Sequence, residues 1–131
     1  MKKTLAALAT AALAASSLLA LAPAASAAGC VTTGLTTGYK GIGGVAHKAA
    51  SGCSDLNLTH AHDTSGAHTE SYAAFYKNSA NNWIQGSRGY VQVSDGSYSP
   101  DQIVLVSDLT PGRAFSIASY WDGGDYVEIT H

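Results

Sequence analysis

The stretch from Leu58 to Glu70, LTHAHDTSGAHTE, holds three of the chain's five histidines and two carboxylates within thirteen residues. Imidazole and carboxylate are common metal ligands and the usual groups of acid–base catalysis. His60 and His62 stand two residues apart, so on a strand both project to one face, which by strict alternation is the face of Leu56 and Leu58. His-x-His is a real ligand geometry, and Asp63, His68 and Glu70 could complete a sphere. A simpler reading needs no ligand. The apolar stripe ends at Leu58, the strand runs out of the core, and DTSG makes a turn in which Asp63 and Ser65 bond nearby backbone. The expectation is therefore a strand end with partly exposed histidines, and weak metal binding through His60, His62 and His68 is the alternative. No cofactor is expected.

Other motifs fall short of chemistry. A metallo-β-lactamase would need a residue between His62 and the aspartate and a histidine after it; Asp63 follows His62 directly. Gly86-Ser87-Arg88-Gly89 is not a Gly-x-Ser-x-Gly nucleophile elbow, and no helix follows it. GYKGIGG lacks the Walker spacing. Asn57-Leu58-Thr59 is a glycosylation sequon inside an expected strand. With no nucleophile–base pair and no complete metal triad, the chain reads as a non-enzyme.

The elements that hold these residues begin after residue 28. Lys2 and Lys3, the apolar run Leu5 to Leu21 and the small residues around Ala27 and Ala28 form a secretory signal peptide, residues 1–28. AAGC before Cys30 also brushes a lipoprotein motif, but Ala stands where that motif wants a large apolar residue. The mature chain of about 103 residues is one domain's worth and has no transmembrane span. Its basic residues are Lys40, Lys48, Lys77, Arg88 and Arg113, five against nine acidic ones, a formal net charge of −4. Nothing basic is clustered, which argues against nucleic acid as a partner. Cys30 and Cys53 both survive cleavage, and in an oxidising compartment an even pair reads as one disulfide. It closes a Gly-rich segment, residues 29–53, with short strands expected at Val31–Thr33 and Gly43–His47.

From Ser54 to His131 the period is two. Tyr72, Ala74 and Tyr76 alternate with Ala73 and Phe75; Phe115, Ile117 and Ser119 alternate with Ser116 and Ala118; Val127 and Ile129 share a face. KNSANN, SDGSYSPD, DLTPGR and DGGD are turn clusters. Six or seven short strands with turns every ~8–12 residues mark an all-β antiparallel sandwich. Val104 to Gly124, VLVSDLTPGRAFSIASYWDGG, resembles the E–F corner of fibronectin type III and related immunoglobulin-like sandwiches, with Leu109, Pro111, Gly112 and Phe115 at the matching places. The family usually carries Tyr where Phe115 stands. The resemblance implies an immunoglobulin-like fold and no activity.

Tyr39, Tyr72, Tyr76, Tyr90, Tyr98, Trp83, Tyr120, Trp121 and Tyr126 exceed what so small a core easily hides. Tyr98, Tyr120 and Trp121 lie near turns and are the candidates for exposed binding residues. Two function classes follow. One is a secreted protein associated with a cell or spore surface, whose partner is a protein or the cell envelope. The other is a secreted inhibitor or binding protein for an extracellular hydrolase, presenting the SDGSYSPDQ loop around Tyr98. Inhibitors of that kind often use two bridges and this chain offers one, so the surface reading is preferred.

Overall fold

Residues 29–131 are described by the computed structural model; the expected signal peptide, residues 1–28, lies outside the described residues. The alternating pattern becomes eleven strands and no helix among the described residues: β1 Thr32–Thr36, β2 Gly38–Tyr39, β3 Val45–His47, β4 Leu56–His62, β5 Thr69–Lys77, β6 Trp83–Gln85, β7 Val91–Ser94, β8 Gly96–Ser97, β9 Val104–Val106, β10 Ala114–Ser119 and β11 Tyr126–Thr130. One sheet runs β1-β11-β4-β8, with β9 also on β4. The other runs β2-β10-β5-β6, with β3 on β10 and β7 on β5. Every pair is antiparallel except β2 with β10. The fold is a small β-sandwich. Its strand count exceeds six or seven because the Gly-rich segment contributes three strands and because β7 and β8 are separate pieces that pair with different sheets.

The core is the inward stripe of each long strand. Leu56 and Leu58 come from β4, Tyr72 and Ala74 from β5, Phe115 and Ile117 from β10, and Val127 and Ile129 from β11, all buried. Each such large apolar side chain contributes about 1.5–3 kcal/mol relative to an exposed one. Cys30 and Cys53 are bonded, with Cα atoms 5.3 Å apart. The bridge is worth about 3 kcal/mol in the chain-entropy account. It ties down a segment that changes sheets: β1 pairs with β11 in one sheet, while β2 and β3 share the edge of β10 opposite β5 in the other.

One expectation about β4 is corrected. Ile129 of β11 opposes Leu58, but the next residue, Glu128, opposes His60, so Thr59 is an extra residue in a β-bulge. The bulge shifts the phase of the strand. Leu56 and Leu58 face inward before it, and Ala61 and Asp63 face inward after it, while His60 and His62 point away from the core. The side-chain period of two makes any one-residue insertion reverse the faces. The sequon residue Asn57 is buried, bonded through Nδ2 to the Thr130 carbonyl and through Oδ1 to the Asp101 amide, so the folded protein cannot present it to a glycosyl donor.

Candidate functional site

The three histidines do not converge. His60 Nδ1 lies 3.1 Å from Ser97 Oγ, and its ring sits 6.1 Å from that of Tyr126. His62 and His68 instead flank one carboxylate, with Nδ1 atoms 3.6 and 3.4 Å from Asp95 Oδ2. Both rings are largely exposed, so water and salt screen these pairs and each contributes little. The other oxygen of Asp95 accepts the Asp63 N–H at 2.8 Å. Asp95 thus anchors the turn after β4, and the histidines lean on it from outside.

The aromatic candidates behave differently from one another. Trp121 is 73% exposed and Tyr120 is 38% exposed. Tyr98 is partly buried against the core, and its hydroxyl donates to the Ser94 carbonyl, so it does not protrude from its loop. Tyr39, 60% exposed, joins Tyr120 and Trp121 because β2 runs alongside the end of β10, with Tyr39 opposite Ser119. Lys40 Nζ sits 4.5 Å from the Tyr120 ring centre and 5.3 Å from that of Tyr39. Tyr90 meets Tyr120 edge to face at 5.2 Å, and Tyr120 meets Trp121 at 5.0 Å. Burial pushes the Tyr90 hydroxyl up, against the opposing pull of Lys40. The result is one continuous surface: Tyr39, Lys40, Tyr120, Tyr90 and Trp121. On its flank, Trp121 walls a cleft of about 250 Å³ completed by Thr69, Glu70, Ser71 and Gln92.

The patch is held from below by carboxylates that the sequence reading did not single out as a group. At this end of the sandwich the inward stripe of each long strand terminates in a polar residue: Asp63 after β4, Glu70 on β5, Ser119 on β10 and Asp125 before β11. Glu70 clamps the loop that carries Trp121. Its oxygens accept the Trp121 N–H at 3.3 Å and the Asp122 N–H at 3.3 Å, as well as the Ser71 N–H at 2.6 Å. Asp125 accepts the Thr64 N–H, the Thr64 hydroxyl and the Ser119 hydroxyl, and its own N–H donates to Thr37 Oγ1. Asp63 accepts the Ser65 N–H and hydroxyl. The turn between Asp122 and Asp125 needs its glycines. Gly124 has φ +88, and a Cβ on Gly123 would lie 2.8 Å from the Tyr39 amide nitrogen.

The carboxylates differ electrostatically. Burial pushes Asp63 up, but the hydrogen bonds from Ser65 and Ala67 outweigh it and hold the group below the usual carboxylate range. Asp122 is pushed up by burial, by its side-chain contact with Glu70, and by the negative charges of Asp125, Asp63 and Glu70. Tyr72 is pushed up far beyond the ordinary phenol range, first by burial and then by Asp125, Asp63, Glu70 and Asp95. No family model, no curated protein and no solved structure matches the chain.

Proposed function

We propose that the protein is a small secreted, non-enzymatic domain that associates with a cell or spore surface through the patch of Tyr39, Lys40, Tyr90, Tyr120 and Trp121. The signal peptide read from residues 1–28 and the Cys30–Cys53 bridge support an oxidising, extracellular location. Among the described residues no helix is long and apolar enough to cross a membrane. The observation that carries the reading is the contiguity of the patch. Rigid rings on neighbouring loops lie in mutual contact, with Trp121 nearly free of the fold, which is costly to leave in water unless something covers it. The inhibitor reading loses support, because its anchor Tyr98 is packed down rather than presented.

Fractionation of a tagged chain tests this. The native protein is expected with washed cells or spores, and the Tyr39→Ala/Trp121→Ala variant in the medium. Both positions are exposed, so the pair is expected to leave stability within about 1 kcal/mol. Recovery of the native protein wholly in the medium, bound to one secreted hydrolase, would replace the surface role with the inhibitor role.

A further inference from the structure

We propose that Asp63, Asp122 and Asp125 form a binding site for a hard divalent cation of the calcium class. One oxygen from each lies within 4.8 Å of the others. Calcium takes oxygen ligands at about 2.4 Å, so two ligands on opposite sides of one ion stand about 4.8 Å apart. The spacing therefore admits a single ion shared by all three.

The second observation is a pair of orphaned oxygens. Tyr72 is 0% exposed and its hydroxyl has no hydrogen-bond partner among the described residues, and Asp122 Oδ1 is buried without one there. Buried tyrosine hydroxyls ordinarily find a partner, and each exception calls for a cause. Tyr72 faces inward two residues from Glu70 and directly across from Ser119, whose hydroxyl is bonded to Asp125. The register thus sets Tyr72 beside Ser119 and Asp125, at the end of the sandwich where the carboxylates gather. Both orphans belong to residues at this end of the sandwich.

The sign of the missing partner follows from the charges. Four carboxylates, Asp63, Glu70, Asp122 and Asp125, meet here, and among the described residues no Lys or Arg forms an ion pair with any of them. Burying like charges together is unfavourable unless a cation compensates. The donors are all oxygens, which selects hard ions over zinc or copper. They sit on two separate loops, the turn after β4 and the Asp122–Asp125 turn. A flexible six-to-eight-ligand calcium sphere tolerates this better than the strict octahedron of magnesium. The occupied site would tie the Trp121 loop to the end of β4. The proposal does not rest on the surface role: cation binding without cell association would sink only the latter.

The test is calorimetric titration of EDTA-stripped protein with calcium chloride, paired with thermal unfolding and tryptophan fluorescence. One calcium is expected per chain, with a dissociation constant on the order of 10⁻⁴ M as in calcium modules that work outside cells. At about ten times that concentration the melting temperature should rise by roughly 5 °C. Trp121 emission should change with the same midpoint, and magnesium should bind more weakly. Asp122→Asn keeps the backbone bonds of its loop and should fold without responding to calcium. Tyr72→Phe keeps the core volume and should weaken binding several-fold. Four results would overturn the proposal: no heat and no melting shift in the native protein, equal responses to calcium and magnesium, undiminished binding in Asp122→Asn, or unchanged affinity in Tyr72→Phe. A melting temperature that falls as pH rises and ignores calcium would put a shared proton in the site instead.

Discussion

The two ends of the sandwich bury polar groups in opposite ways. At one end, where β10 begins and β11 finishes, Phe115 packs edge to face on His131 with ring centres 4.9 Å apart. His131 Nδ1 accepts the Ala49 N–H at 2.9 Å, which leaves the proton on Nε2 to donate to Thr33 Oγ1 at 2.9 Å. Lys48, also buried, donates to the Ala49 and Cys53 carbonyls. Among the described residues no buried side-chain nitrogen or oxygen there lacks a partner, and the disulfide residue Cys53 accepts from Lys48. At the other end, Asp63, Asp122 and Asp125 gather with Glu70 beside Asp122, and among the described residues none forms an ion pair with Lys or Arg, while one buried oxygen each of Tyr72 and Asp122 has no hydrogen-bond partner. A satisfied polar cluster stiffens a fold and asks for nothing more; an unsatisfied one of uniform sign is built for something else.

Breaking the self-sufficient end should cost most. Phe115→Ala removes a wholly buried ring from the core and from His131, and denaturant unfolding is expected to show a loss of about 3–5 kcal/mol. A loss below about 1 kcal/mol would mean that this end is not the anchor of the fold. Smaller effects come from pH, and His131 and Asp122, one at each end, should respond with opposite signs. Burial, and then the charge of Lys48, holds His131 below its ordinary value. The unfolded chain therefore takes up its proton first, so this contribution is complete above about pH 6.5 and fades as pH falls through the lower folded value. Asp63, also held low, adds a loss in the same direction at still lower pH. Asp122 is held high, so it favours the fold below its unfolded value, and that contribution is lost as pH rises through the raised folded value. In metal-free protein, Asp122→Asn should accordingly raise the melting temperature at pH 7 and leave it nearly unchanged at pH 3. The same gain at both pH values would show that charge at the acidic end is not the cause. Smallest is Trp121→Ala, which sits outside both clusters and should change stability by no more than about 0.5 kcal/mol.

Much of the architecture could be read from the sequence because alternation is local. The inward stripes of β5, β10 and β11 and the Cys30–Cys53 pair follow from spacing and composition. The face of His60 and His62 did not, because the bulge at Thr59 is set by pairing with Glu128 and Ile129, about seventy positions away. The aromatic patch was visible only in part. Tyr120 and Trp121 stood out near a turn, but the link from Tyr120 through Lys40 to Tyr39 depends on the parallel pairing of β2 with β10. The acidic end left one usable signal: the apolar stripes of β4, β5 and β11 each run into a carboxylate, at Asp63, Glu70 and Asp125. A turn residue and a stripe residue look alike in isolation, and only the packing of the sheets brings these ends together.

Hydrogen exchange on EDTA-stripped protein, with and without calcium, sets the two ends side by side in one experiment. Protection is predicted to increase at Thr64, Ser65, Trp121 and Asp122, the amides bonded to the acidic end, and to stay the same at Ala49 and Lys48, beside His131. A calcium effect spread evenly over both ends, or none at either, would contradict the account.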